Sequence, residues 1–194
     1  MINKIKKLKS TFTIIGIWIL VYIVCAMFGV GSTFYNKGWN YIGNEYYRII
    51  TGMFLHLNII HLLANVFAIY WIGEFLEEKI GSIKYLIFSI ISGTISNLLF
   101  IMIFAKVQSC LGGSVITFSL IGLIIANQIF DKKTERFRLG TWYGNWIVAY
   151  ALLGNIPFFG VGITTLVIHI IALLVGFILS CVIYQFSRLK RIEK

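Results

Sequence analysis

The stretch LGTWYGNWIVAYALLGNIPFFGVGITTLVIHIIALLVGFILSCVIYQFS, residues 139–187, contains no Asp, Glu, Lys or Arg. A helix that crosses the hydrocarbon core of a bilayer needs about 20 predominantly apolar residues, so this stretch is long enough for two helices. Asn155-Ile-Pro157, with the only proline of the chain, and Gly160-Val-Gly162 lie near its middle. Such a composition is typical of a turn, and it predicts two membrane spans joined there.

The rest of the chain repeats this uncharged pattern. Four further stretches are long enough to cross a membrane: Ser10–Asn36, Ile49–Gly73, Tyr85–Ala105 and Val107–Phe130. Of all residues, 59% are hydrophobic and only 12% are charged, whereas about a quarter of the residues in a soluble domain are charged. Helices satisfy their own backbone groups in lipid, which open sheets cannot do. We therefore expect an all-α membrane protein with six transmembrane helices.

A single membrane domain accounts for nearly the whole length. We expect it to cover residues 12–187, between basic tails at residues 1–11 and 188–194. Short cytoplasmic segments are enriched in Lys and Arg, and this enrichment sets the orientation. With the N-terminus inside, the outer segments carry only Lys37, Arg48 and Lys106. The inner segments carry Lys4, Lys6, Lys7, Lys9, Lys79, Lys84, Lys132, Lys133, Arg136, Arg138, Arg188, Lys190, Arg191 and Lys194. Both termini are therefore predicted to be cytoplasmic.

The net charge of +10 follows from this asymmetry of the loops and tails. It is the charge distribution of a membrane protein whose inner face meets anionic lipid, and we expect no nucleic-acid partner. The abundance of Ile and Lys and the short chain favour a prokaryotic plasma membrane. The three cysteines, Cys25, Cys110 and Cys181, form no CxxC pair, so neither a zinc site nor a disulfide framework is expected.

Polar residues inside the predicted spans are the candidates for function, because a membrane interior tolerates them mainly where they are partnered or functional. All three histidines, His56, His61 and His169, fall in or beside spans. A single intramembrane histidine is most often an interhelical hydrogen-bonding residue. His61 and Asn65, however, are four residues apart and share one helical face. His56 precedes them near the outer end, where it is predicted to line the mouth of a cavity.

Ser114 follows two glycines at the predicted start of the fourth span. A helix N-terminus offers free backbone N–H groups and a positive dipole, which favour an oxyanion. His169 in the sixth span is followed by small residues at helical spacing, Ala172 and Gly176, which permit close approach of another helix. The second, fourth and sixth spans run in the same direction, so their polar residues share one depth. We expect them to line a water-accessible pocket.

The order of these motifs resembles that of rhomboid intramembrane serine proteases. The similar segments are EYYR at 45–48, HLNIIHLLAN at 56–65, EEKIG at 77–81, GGS at 112–114 and HIIALLVG at 169–176. The third is similar to the family's segment that closes the second helix, the fourth to its GxSG nucleophile motif and the fifth to its HxxGxxxG general-base helix. The resemblance covers Glu45 to Gly176 and implies a six-helix rhomboid-like bundle.

The resemblance implies hydrolysis of peptide bonds in or near transmembrane segments of membrane proteins, within the lipid bilayer. Ser114 would be the nucleophile, and His169 the general base and then the general acid. His61 and Asn65, with the Ser114 backbone N–H, would bind the oxyanion. His56, Gly112 and Phe118 would support the site, Phe118 by packing against the imidazole ring as an aromatic residue does in the family. No metal or organic cofactor is implied.

The acidic residues decide between a dyad and a triad. No Asp or Glu occurs between Arg138 and Arg188, and all seven acids lie at predicted span ends or in loops. A buried carboxylate that could orient His169 is therefore not expected, and the sequence predicts a Ser-His dyad.

Two positions depart from the family pattern. Val115 stands where the family has glycine after the nucleophile, and Ala172 stands where it has a glycine in the general-base helix. Both side chains add bulk where the fourth and sixth spans should approach each other. A rhomboid-like pseudoprotease that binds transmembrane helices without cleaving them is therefore an alternative. A channel or transporter is a third reading, disfavoured because we find neither intramembrane acids nor a repeated half.

Overall fold

The computed structural model describes residues 7–131, 135–156 and 162–192, the last seven of them without their side chains. These residues form eight α-helices: α1 Lys9–Phe28, α2 Trp39–Ile42, α3 Arg48–Thr51, α4 Ile59–Ile80, α5 Ser82–Ile103, α6 Ser114–Phe130, α7 Trp142–Leu153 and α8 Ile163–Ile192. Short 3-10 helices cover Gly31–Thr33 and Gly52–Phe54. The described part of the chain contains no strand, which confirms the predicted all-α class.

Four helices are long and apolar enough to cross a membrane: α1, α4, α5 and the Ile163–Gln185 part of α8. α6 is a shorter apolar helix of 17 residues, and α7 has 12 residues. The protein is therefore a helical membrane protein, while the count of six spans stays a prediction. The predicted turn falls between α7 and α8, although Pro157 and Gly160 lie outside the described residues.

α6 is the central helix, and its residues from Ser114 to Ile124 are all buried. It packs against α8 at two glycines. A methyl group on Gly122 would overlap the Leu173 carbonyl, and one on Gly176 would overlap the Ser119 carbonyl. Both backbones therefore touch without intervening side chains, as small residues permit in membrane helices. Val115 and Ala172 are both buried in the hydrophobic core, and α6 and α8 make these backbone contacts with both side chains present.

The N-terminus of α1 is held by a carboxylate of α4. The first N–H groups of a helix have no intrahelical acceptor. Here the N–H groups of Ser10 and Thr11 donate to the Glu77 carboxylate at 2.7 and 2.9 Å, and the Thr11 hydroxyl donates at 2.6 Å. A methyl group on Gly73, one turn before Glu77, would overlap Thr11. Gly73 thus lets α1 come close enough for Glu77 to act as its cap.

The segment between α1 and α4 is organised around Arg48, which is 4% exposed. Its Nε and Nη2 each donate to the Glu45 carboxylate at 2.9 Å, and Nη1 donates to the carbonyls of Ser32 and Tyr35. The Arg48 hydrogen bond is the main cause that lowers the pKa of Glu45 to about 2. A lowered carboxyl pKa means that this contact contributes stability above the ordinary pKa of Glu and loses it only as the pH falls toward about 2.

The same segment is tied to the residues that precede α6. Asn36 and Cys110 exchange backbone hydrogen bonds of 2.9 and 2.8 Å, and the Gly112 N–H donates to the Gly52 carbonyl at 3.0 Å. These bonds fix the approach of the chain to the first residue of α6. They therefore set the position of Ser114.

Candidate active site

Three helices begin near the same point and run away from it. Ser114 is the first residue of α6, His61 lies in the first turn of α4, and His169 lies in the second turn of α8. A methyl group on Gly112 would lie 3.0 Å from His61 Cε1 and 3.5 Å from Ser114 Oγ. Gly112 also has φ of +140°, a conformation that favours glycine. The His61 ring and the Ser114 hydroxyl thus face one small space beside the Gly112 backbone.

The His61 ring is oriented by the residues just before α4. Asn58 is the N-cap, and its side chain accepts a hydrogen bond from the His61 N–H at 2.8 Å. The Leu57 N–H donates to His61 Nδ1 over 3.4 Å. An Nδ1 that accepts carries no proton, so the neutral ring carries its proton on Nε2. Nε2 would lie 3.2 Å from a methyl group on Gly112. The His61 donor is therefore near Ser114.

His169 stacks on Phe118, with ring centroids 4.1 Å apart and planes 13° apart. Phe118 is one turn after Ser114 on α6, so the two side chains share a face of that helix. Ser114 is 7% exposed and His169 5%. Among the described residues no hydrogen bond joins Ser114 Oγ to His169. A cavity of about 250 Å³, lined by Phe118, Asn155, His169 and apolar residues of α7 and α8, lies beside the ring.

Asn65 belongs to a buried hydrogen-bond chain that joins three helices. Its Nδ2 donates to the His61 carbonyl at 2.9 Å, and its Oδ1 accepts from the Tyr150 hydroxyl of α7 at 2.7 Å. The Tyr150 hydroxyl also lies 2.8 Å from Thr117 Oγ1 of α6. Asn65 is 1% exposed. An NH₂ group has two N–H donors, and only one of them points to the His61 carbonyl. The second N–H of Asn65 can therefore donate to another group.

His56 is buried, with 8% of its surface exposed, and its ring lies edge-on between Trp18 and His61 at centroid distances of 5.2 Å each. His56 thus packs against the His61 ring. Trp18 also packs against Gly113, where any side chain would overlap the indole. α1 therefore contributes to the position of the α6 N-terminus.

Sequence reasoning missed Asn155, Tyr150 and Thr117. Asn155 Oδ1 lies 3.0 Å from His169 Nδ1. In the sequence, Asn155 stands two residues before Pro157 and was therefore interpreted only as part of a turn. Tyr150 and Thr117 lie in apolar runs, where they read as packing residues. The hydroxyl groups of Tyr150 and Thr117 were the feature that could have indicated a role, because a buried tyrosine or threonine in a membrane protein needs a hydrogen-bond partner. Within the described residues, no cluster of three His, Cys, Asp or Glu residues is placed to hold a metal ion.

The sequence of this chain is similar to a protein family and to several known proteins. A family model described as the Rhomboid domain matches residues 43–186. The chain is 32% identical over 97 residues to "RHOMBOID-like protein 6, mitochondrial" of Arabidopsis thaliana, a match that covers 50% of this chain and 31% of that protein. It is 31% identical over 96 residues to "Rhomboid-like protease 3" of Toxoplasma gondii, covering 48% of this chain and 36% of the relative. It is 26% identical over 90 residues to "Rhomboid protease GlpG" of Yersinia pestis, covering 45% and 32%. Each match thus spans about a third of the relative's length.

Proposed function

The chain belongs to the rhomboid family, and from this premise we propose that it is an intramembrane serine protease. Its substrates would be transmembrane proteins, cleaved in or near their membrane segments through a Ser114–His169 dyad. One observation carries the proposal. At the start of α6, the Ser114 hydroxyl and the His61 ring face the same small space beside the Gly112 backbone. Two of the relatives are themselves named proteases, which supports the same reading.

In the proposed reaction, His169 accepts the proton of Ser114 Oγ as the oxygen attacks the carbonyl carbon of the substrate. The carbonyl oxygen becomes an oxyanion. The Ser114 N–H, the Nε2–H of His61 and the second N–H of Asn65 would stabilise it, aided by the positive end of α6. His169 then donates its proton to the leaving amine. Water hydrolyses the acyl-enzyme in a second cycle that uses the same base.

The membrane setting that we propose has six spans, formed by α1 and α4 to α8. Both termini would be cytoplasmic, because the basic residues of the sequence gather on that side. This arrangement places the beginnings of α4, α6 and α8, and hence the site, toward the outer leaflet. A prokaryotic plasma membrane is the proposed location, and residues 12–187 the proposed membrane domain.

A serine-reactive fluorophosphonate probe tests the proposal on protein purified in detergent. We expect the wild type to be labelled, Ser114→Ala to show no labelling and His169→Ala to label at least about 100-fold more slowly, because the general base is lost. Ser92→Ala is the matched control, since Ser92 is a buried serine that donates to its own helix at the Phe88 carbonyl. It should label like the wild type. A folded wild type that neither reacts nor cleaves any transmembrane reporter would rule out the protease.

Val115 favours one second candidate, a rhomboid-like pseudoprotease that binds transmembrane helices without cutting them. The side chain occupies the family's glycine position directly after Ser114 and is 2% exposed. If the chain is a pseudoprotease for this reason, Val115→Gly should create labelling at Ser114 that the wild type lacks. If the wild type already reacts, Val115 does not block the nucleophile and this candidate fails.

Tyr150→Phe is expected to reduce kcat by about 2- to 10-fold, because the Asn65 amide loses the hydrogen bond that orients it, worth about 0.5–1.5 kcal/mol. Steady-state cleavage of a transmembrane reporter measures the effect. Tyr143→Phe, on the same helix, is the matched control, since the buried Tyr143 hydroxyl has no hydrogen-bond partner in the described part of the chain. Equal kcat values for the two variants would contradict the role of Tyr150.

A further inference from the structure

Asn155 gives His169 a hydrogen-bond partner at Nδ1. It follows the C-terminal end of α7, and its Oδ1 lies 3.0 Å from His169 Nδ1. The sequence offers no carboxylate for this position. A neutral amide there avoids the desolvation of a buried charge within the membrane part of the protein.

The orientation of the Asn155 amide is determined by a second hydrogen bond. Its Nδ2 donates to the Ala151 carbonyl, one turn earlier, at 2.7 Å. A carbonyl oxygen can only accept, so the NH₂ group must face Ala151 and the Oδ1 must face His169. The Oδ1 in turn can only accept. His169 Nδ1 therefore carries the proton, and the neutral ring leaves Nε2 unprotonated.

This is the tautomer that a general base needs. The two site imidazoles are thus held in opposite states, because His61 accepts at Nδ1 from the Leu57 N–H and so carries its proton on Nε2. His169 presents a proton acceptor and His61 presents a donor. Phe118 fixes the plane of the His169 ring by stacking. Stacking alone permits rotation within that plane, and the Asn155 contact restricts this rotation.

We propose that Asn155 is a positioning residue that holds His169 in the tautomer and orientation required for proton transfer from Ser114. The proposal rests on the proposed protease function. The arrangement is a Ser-His pair oriented by an amide, which parallels the Cys-His-Asn constellation of papain-like proteases on an unrelated fold.

The test compares Asn155→Ala with Asn155→Asp, which retains an acceptor oxygen. Asn145→Ala is the control, since Asn145 lies on α7, the helix that Asn155 follows, and its side chain accepts only from the Gly140 N–H in the described structure. Nitrogen-15 NMR of the His169 ring in detergent reports the tautomer directly. Steady-state cleavage and the rate of probe labelling report the chemistry.

For Asn155→Ala we expect mixed His169 tautomers and a kcat lower by about 10- to 100-fold, with KM within about twofold, as for other partners that orient a functional histidine. Asn155→Asp should keep the Nδ1–H tautomer and recover most of kcat. Asn145→Ala should change neither. If the wild type reacts with the probe but Asn155→Ala retains both its tautomer and its kcat, only this inference fails. If the wild type does not react at all, the protease function fails and takes the inference with it.

Discussion

Replacing Glu77 by alanine is expected to lower the free energy of unfolding by about 2–6 kcal/mol, because two buried backbone N–H groups lose their acceptor and each costs about 1–3 kcal/mol. The Glu77 side chain is 1% exposed and accepts three hydrogen bonds from Ser10 and Thr11. Without it, two backbone N–H groups at the start of α1 are buried with no acceptor, and each unsatisfied group adds its own desolvation cost. Unfolding by SDS titration, followed by circular dichroism, measures the loss.

The neighbouring residue provides the control. Glu78 pairs with Lys7 at 3.3 Å, but the two side chains are 47% and 61% exposed. Exposed ion pairs contribute about 0–1 kcal/mol, so Glu78→Ala should be nearly neutral. If the two substitutions lowered the free energy of unfolding equally, negative charge at this end of α4 would be the cause, and not the cap of α1.

Gly176→Ala is expected to cost about 3 kcal/mol, at the upper end of the usual penalty for overpacking, because the added methyl group meets backbone rather than a movable side chain. It would overlap the Ser119 carbonyl, and the nearest atoms are all main-chain atoms of α6. Separation of α6 from α8 would also move His169 away from Ser114. We therefore expect thermal stability and probe labelling to fall together.

Gly16→Ala is the matched comparison. A methyl group on Gly16, within α1, would have no atom within 4 Å. Alanine is a better helix former than glycine by about 0.5–1 kcal/mol, so this substitution should be neutral or stabilising. The two Gly→Ala changes are thus expected to have opposite signs. A stable, fully labelled Gly176→Ala protein would mean that α6 and α8 do not pack through this glycine.

Local sequence features predicted the helical class and the helix that carries each site candidate. The absence of charge marked the apolar segments, and the two glycines before Ser114 marked the start of α6. The EEKIG segment also ends α4 as expected, with Gly81 at φ of +86° after Ile80. These features depend on neighbours in the chain, so a single sequence contains them.

The contacts between distant residues could not be predicted in the same way. Asn155 contacts His169, 14 positions later in the chain, and Tyr150 donates to Asn65, 85 positions earlier. Such pairs depend on how the helices pack, and nothing in the local pattern around either residue specifies its partner. The uncharged run also did not specify where α7 begins and ends. Its helix has only 12 residues, although the uncharged run that contains it is far longer.

The cap on α1 also has a consequence for the order in which the protein is made. Glu77 is synthesised 67 residues after Ser10, which at about 5–20 residues per second is roughly 3–13 seconds later. During this interval the carboxylate that accepts from the N–H groups of Ser10 and Thr11 has not yet been made. The cap of α1 therefore forms only after α4 has been made and has packed beside it. A nascent chain released before residue 77 would leave α1 as a lone span without its cap.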